Sequence, residues 1–278
     1  MLIAHFSDMH VKANDQLAFG EVDTGGALER CVNHINLLDP APELVLITGD
    51  LTFDGEVQEY ATLRAHLSVL DAPYFLIPGN HDRREHLRKA FADLPYLPKE
   101  TEFLHYVVDD FALRLIALDT LQPGTIGGTL CDERLRWLKD ELSTNSTKPT
   151  IIAMHHPPFK TGIKHMDGTS LENTDAFADI VSRNRQICLI LCGHIHRPIQ
   201  TKWCGVPTMI APATAHQVSL ELRRGERATR VMEPPAIYLH LWGPEGLVTH
   251  TSYIGDYRAD SPFRSGFLSS DRSHIRGH

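Results

Sequence analysis

A layered α/β domain, with two mixed sheets held between helices, is the fold this sequence predicts, on three observations. Five short apolar runs of β-forming residues alternate with stretches of helical periodicity, the rhythm of successive βαβ units. Two further segments read as antiparallel hairpins, which a purely parallel sheet would not contain. Nearly all the apolar runs end in Asp, Asn or His, and open α/β sheets bind ligands outside the carboxyl ends of their strands.

Taken in order, strands are predicted over residues 2–6, 44–48, 74–77, 151–154 and 187–191; these runs are nearly continuously apolar, as strands covered on both faces are. Helices are predicted between them over 25–38, 56–70, 83–94, 131–142 and 173–184. The first hairpin pairs 106–108 with 113–118 across Asp109-Asp110. The second pairs 237–242 with 247–254 across Gly243-Pro244-Glu245-Gly246. Long polar connections at 11–24, 120–130 and 157–173 follow the candidate ligand segments, and loops of that length inside a compact domain tend to be functional. Residues 1–255 are expected to form one domain. Within it, 219–235 carries Arg223, Arg224, Arg227 and Arg230 before Pro234-Pro235, and reads as an excursion for oligomerisation or for covering a site. Residues 256–278 form a polar tail.

Composition excludes several classes. A formal net charge of −8 over 278 residues leaves no basic footprint for duplex nucleic acid. No apolar stretch is long enough to span a bilayer, and the sequence opens directly on a strand with no leader pattern, so a cytoplasmic protein is expected. The five cysteines, Cys31, Cys131, Cys188, Cys192 and Cys204, are odd in number and lack CxxC spacing, which favours reduced thiols over a disulfide framework or a structural zinc.

The chemistry gathers in five segments: Asp8-Met9-His10, Gly49-Asp50, Gly79-Asn80-His81-Asp82, His155-His156 and Gly193-His194-Ile195-His196. With 17 histidines in the chain, many must be ordinary residues. His34, His66 and His86 sit in helical stretches, and His274 and His278 in the polar tail, none of them with a partner set. The five segments differ, because each couples a possible ligand with a turn former or a second ligand. Asp8 and His10 are expected to share a strand face at i and i+2, as are His194 and His196, although Gly193 would let these last two rings diverge. Mixed carboxylate and imidazole donors suit zinc, manganese or iron better than calcium or magnesium. Asp50 is expected to bridge two cations roughly 3.5 to 4 Å apart. Asn80 would add a neutral oxygen, so that Asp8, Asp50 and a bridging hydroxide leave one positive charge over to attract a phosphate. His81 would donate to a phosphate oxygen or to the leaving alkoxide, with Asp82 orienting its ring. The core motifs show no further basic cluster for a dianionic group.

The ordered set DxH, GD, GNHD, HH before Pro157 and GHxH closely resembles the calcineurin-like metallophosphoesterase superfamily, over Met1 to about His196. The similarity is closest to bacterial glycerophosphodiesterases and class III cyclic-nucleotide phosphodiesterases. It implies a four-layer α/β/β/α sandwich holding two divalent metals, iron, manganese, zinc or cobalt. Carried over by motif, Asp8, His10, Asp50 and His196 would hold the first metal. Asp50, Asn80, His155 and His194 would hold the second, leaving His156 outside, while His216 resembles a residue lining the substrate pocket. Every ligand position is filled. The activity implied is hydrolysis of small phosphodiesters by a metal-bound hydroxide in a homo-oligomer, with Asp50, Asn80 and His81 as catalytic residues. The alternatives are a 3',5'-cyclic-nucleotide phosphodiesterase, a phosphomonoesterase, a nuclease or a non-catalytic metal-bearing scaffold.

Overall fold

The computed structural model describes residues 1–257 except 15, 224 and 226. Two sheets lie face to face, each with helices on its outer side. The chain starts with β1 (Leu2–Phe6), α1 (Thr24–Asn36), β2 (Leu44–Ile47), α2 (Val57–Leu67), β3 (Tyr74–Leu76) and α3 (Arg84–Ala90). It crosses to the second sheet with β4 (Tyr106–Val108), β5 (Arg114–Leu118), α4 (Asp132–Thr144), β6 (Thr150–Met154), α5 (Lys164–Asp167), α6 (Asp175–Arg183) and β7 (Ile187–Cys192). The remaining strands are β8 (Ile199–Trp203), β9 (Val206–Ile210), β10 (Gln217–Val218), β11 (Arg230–Val231), β12 (Ala236–Gly243) and β13 (Gly246–Tyr253).

The first sheet has the order β13-β12-β1-β2-β3 and the second β4-β5-β6-β7-β9-β8. The βαβ-connected strands run parallel in each, and antiparallel partners lie at every edge except that of β3, which pairs parallel with β2. Strand periodicity explains the layering. On β5, β6 and β7, Leu115, Ala117, Ile151, Ala153, Leu189 and Leu191 pack into the core shared with the first sheet. Their neighbours Ile116, Leu118, Ile152, Met154, Ile190 and Cys192 pack against Leu138 of α4 and Phe177 and Ile180 of α6. Both faces are covered, and for that reason the runs are continuously apolar.

Both predicted hairpins form, and all five cysteines are free. Helix α3 is shorter than its 83–94 stretch, because Phe91 leaves helical geometry at φ −120° and turns toward Pro95. The β8–β9 hairpin was not expected. Its two-residue turn is Cys204-Gly205, both at positive φ, and Cys in place of Asn or Asp hides the turn from sequence reading. The 219–235 excursion is rooted in the β10–β11 pair. The 256–278 tail lies outside the described residues beyond Tyr257.

One polar thread crosses the first sheet's interior. His5 shares a hydrogen bond with Thr48 Oγ1 at 2.9 Å, its other nitrogen faces His240 at 3.3 Å, and His240 reaches Thr249 Oγ1 at 2.8 Å. Burial, and for His5 also His240, holds both imidazoles in the neutral form, with His240 pushed down to about 3. A histidine whose folded pKa lies below its unfolded value contributes stability that is complete above about pH 6.5 and lost as pH falls below it. Going from about pH 7 to about pH 5 should therefore cost on the order of 2 kcal/mol at His240 alone. Denaturant unfolding should show that loss and a shallower slope in His240→Gln; identical slopes would refute it.

Candidate functional site

Beyond the end of β1 the chain stays zipped to the loop after β2. The N–H groups of Asp8 and His10 donate to the carbonyls of Gly49 and Asp50 at 3.0 Å each, and Val11 donates to Leu51 at 3.2 Å. Asp8 and His10 are thereby held in register with Asp50. They do not share the strand face that i, i+2 spacing predicts: β1 ends at Phe6, and Asp8 and His10 have φ of 56° and 47°. Left-handed turns, not strand pleat, aim them. His194 and His196 follow the same rule at φ 74° and 55°, past the end of β7, and their rings diverge as Gly193 suggested.

Two clusters result. In the first, ligating atoms of Asp8, His10, Asp50 and His196 all lie within 4.8 Å of one another. His10 Nε2 stands 3.0 Å from His196 Nε2 and 3.6 Å from Asp50 Oδ2, and His196 Nε2 stands 3.6 Å from Asp8 Oδ1. In the second, His155 Nε2 is 3.2 Å from Asn80 Oδ1 and 3.3 Å from Asp50 Oδ1, while His194 Nδ1 is 3.0 Å from the same Asn80 oxygen. Asp50 thus turns one oxygen to each cluster. Around an ion bound at about 2.1 Å, tetrahedral ligands stand about 3.3 Å apart, so both clusters fit a divalent cation.

Glycine makes the approach possible. A Cβ on Gly79 would sit 2.2 Å from both the backbone nitrogen and Oδ1 of Asp50, and one on Gly193 would sit 2.0 Å from Ser7 Oγ and 2.8 Å from the Thr48 carbonyl. The two sheets are then tied directly, because the His194 N–H donates to Asp8 Oδ1 at 3.0 Å.

Three of the four rings are fixed through the far nitrogen, while His10 Nδ1 is buried without a partner. His155 Nδ1 donates to the Thr48 carbonyl at 2.7 Å, His196 Nδ1 to the His216 carbonyl at 3.2 Å, and His194 Nε2 meets Thr169 Oγ1 at 3.1 Å. Such partners set the tautomer and leave the other nitrogen for a metal. His156 behaves differently. It lies within 4.8 Å of His155 and His194, yet its nitrogens are engaged by Thr120 Oγ1 at 2.8 Å and the Ile126 carbonyl at 3.0 Å. His34 and His86 bind Ser252 and the Gly55 carbonyl, outside both clusters.

His81 stands beside the site, its N–H on Asp50 Oδ1 at 2.9 Å and its ring 4.5 Å from that of His10. The partner that orients it is not Asp82. Its Nδ1 donates to the Phe53 carbonyl at 2.6 Å, whereas Asp82 accepts from the N–H groups of Gly79 and Leu51 and from Tyr60 Oη, pinning one loop to the other. His216 is buried, with ring centroids 4.9 Å from His196 and 5.8 Å from His10. Phe19 closes that side at 5.4 Å. Sequence reasoning missed the Thr48 and Phe53 carbonyls, which any residue type supplies, and Thr169 and Phe19, whose loops carry no ligand motif.

The electrostatics suit a bound cation. Burial pushes the Asp8 carboxyl up to about 7, with Asp50 adding to the rise against His155. Asp50 is opposed by the same burial, but His155, His81 and His10 hold it well below the usual range, and His155 is lifted to about 9 chiefly by Asp50 against its own desolvation. Among the described residues no Lys or Arg pairs with either aspartate. Two buried carboxylates need positive charge beside them, which a protonated His155 supplies in part and a cation bound between the clusters would supply in full.

The chain is similar in sequence and in fold to known proteins. The model of the calcineurin-like phosphoesterase family matches residues 1–198. A probable glycerophosphodiester phosphodiesterase of Arcobacter nitrofigilis is 40% identical over 95% of this chain and 97% of its own. The 3',5'-cyclic adenosine monophosphate phosphodiesterase of Pseudomonas aeruginosa is 29% identical over 78% of this chain and 77% of its own. A dimetal phosphatase of Danio rerio superposes with a TM-score of 0.62 at 13% identity, covering 92% of this chain and 99% of its own, and so shares the fold. If Gly79 is what lets Asp50 reach both clusters, Gly79→Ala should drop metal content below two per chain, with about 1–3 kcal/mol of stability lost to overpacking. Elemental analysis finding two tightly held metals in that variant would contradict it.

Proposed function

The chain belongs to the calcineurin-like phosphoesterase family and is a phosphoric diester hydrolase, and we propose that its substrates are small glycerophosphodiesters, cleaved at the paired clusters around Asp50. The observation that carries the reading is the split carboxylate of Asp50, one oxygen at each cluster, with His81 against its edge. Asp8, His10, Asp50 and His196 would hold one divalent cation and Asp50, Asn80, His155 and His194 the other. Iron, manganese, zinc or cobalt bound there would polarise phosphoryl oxygens and bring the pKa of bound water toward about 7.

The remaining work falls to the chain. His81 spends Nδ1 on the Phe53 carbonyl, which leaves Nε2 for the substrate. Burial opposes a charged ring, yet Asp50, the Phe53 carbonyl and Asp82 raise its pKa above the ordinary value, so it carries a proton to give near neutral pH. That proton goes to a non-bridging oxygen or to the departing alkoxide. His216, buried beside the first cluster with Nδ1 unpartnered, is placed to receive a second polar group of the substrate.

Glycerophosphodiesters are favoured over 3',5'-cyclic nucleotides because the relative named for the former matches over nearly its whole length at the higher identity. The same reading makes the enzyme cytoplasmic and homo-oligomeric, acting on small molecules and not on duplex nucleic acid. No helix among the described residues is long and apolar enough to cross a membrane. Leu220, Leu222 and Met232, exposed at 61%, 58% and 65% on the excursion rooted in β10 and β11, support that segment as a subunit contact or site cover.

Turnover of bis(p-nitrophenyl) phosphate should disappear on chelation, return with Mn, Co or Zn, and fall by about 100-fold or more in Asp50→Ala. A metal-free protein that keeps its activity would end the proposal. His81→Ala should lose about 100- to 10,000-fold on glycerophosphoethanolamine, and far less on p-nitrophenyl esters, whose leaving group needs no proton. Equal losses on both would remove His81 from the acid role.

A further inference from the structure

Next to His81 lies a cavity of about 620 Å³ whose lining does not include His216. Asn80 and His81 line one part of it, Arg83 just before α3 with Arg84 and Arg88 on that helix line another, and Gly124 is also in the lining. As sequence, the three arginines are only the polar face of a helix. In the structure they are a basic wall beside the site, which the motifs alone did not show.

Most of the cavity's charges are already matched. Arg83 pairs with Glu56 at 3.0 Å, Arg84 grips both oxygens of Asp119 at 2.5 and 2.9 Å, and Asp54 holds Lys12 at 2.6 Å. Glu85 sits at the solvent rim with its carboxylate 3.5 Å from His86. Arg88 is the exception. It is half-buried, and its Nε and Nη2 donate to the carbonyls of Pro98 at 2.9 Å and Thr101 at 2.6 Å. Among the described residues no carboxylate pairs with it. Two carbonyls fix the guanidinium plane without neutralising it, leaving Nη1 and a full positive charge in a partly desolvated wall.

We propose that this cavity is a second anion subsite, and that the preferred substrates are phosphodiesters whose departing alcohol carries a further oxyanion, a carboxylate or a phosphate. The inference rests on the phosphodiesterase reading above. His81 gives its Nε2 proton to the alkoxide as the P–O bond breaks and water oxygen bonds to phosphorus, so the departing alcohol must lie on the His81 side. The cavity opens there, with ample room for a group of several heavy atoms.

Two matched pairs of diesters test it. Glycerophosphoserine differs from glycerophosphoethanolamine by one carboxylate, and glycerophosphoinositol 4-phosphate from glycerophosphoinositol by one phosphate. In at least one pair the anionic member should show a kcat/KM roughly tenfold higher, the scale of one hydrogen bond to a charged group, with the acidic alcohol as the released product. Which pair responds identifies the oxyanion. Arg88→Gln should bring that ratio to about one and Arg88→Lys should keep part of it. Gly124→Asp, at a position with φ of 80° and nothing within 4 Å of its Cβ, should lower the ratio without touching Arg88. Ratios near one in the wild-type protein, or a ratio indifferent to Arg88→Gln and Gly124→Asp, would overturn the subsite and leave the phosphodiesterase assignment standing. Failure of the wild-type protein on all four diesters and on bis(p-nitrophenyl) phosphate would overturn both.

Discussion

The arrangement depends on a single shared carboxylate. Asp50 is almost fully buried, faces His10 with one oxygen and His155 with the other, and takes the His81 N–H on the second of these. A buried charge with that many partners cannot be replaced without dismantling the groups around it, because each partner would then be left unsatisfied in a low-dielectric setting. The fold serves this contact. Parallel strands from two sheets end at the same edge, and the Asp8 carboxylate accepts the His194 N–H across the gap between them.

Backbone strain is concentrated at the same place. Asp8, His10, Asp50, His194 and His196 all adopt left-handed φ, between 47° and 74°. Such conformations cost about 1 kcal/mol or more each for residues other than glycine, and Asp and His tolerate them better than most. The strain persists because the loop after β1 is hydrogen-bonded to the loop after β2, and because Asp82 clamps the Gly79 and Leu51 N–H groups to one acid. Preorganisation of this kind means that ligating atoms need not move far to bind a cation, whose charge in turn relieves the carboxylates that burial disfavours.

Legibility from sequence followed the strength of local rules. Apolar runs bounded by turn formers located the five parallel strands that carry the motifs, and the ligand-bearing segments lie where strand-end geometry puts them. The aim of Asp8 and His10 was attributed to the wrong cause, since i, i+2 spacing has the same outcome on a strand and on two left-handed turns. Asp82 was assigned to His81 by adjacency, while the true partner is a carbonyl of Phe53, 28 residues away. Backbone partners carry no side-chain signature, and the Cys204-Gly205 turn lacks the usual one, so neither could be read without coordinates.

Chemistry and selectivity are built from different material. The candidate ligands stand just past strand ends inside continuous cores, where a shift of an ångström would break hydrogen bonds on several sides at once. The walls that meet the rest of a substrate come from loops and from the short helix α3: Phe19 and His216 on one side, the arginines and Gly124 on the other. Those positions carry little of the core, so they can change while the cation clusters stay intact. A fold that separates the two can keep one hydrolytic centre and alter the alcohol it releases by exchanging a few side chains of these walls. Arg88 illustrates the economy: a single guanidinium, held by two carbonyls and, among the described residues, by no acid, would give the site a charge preference without entering the reaction.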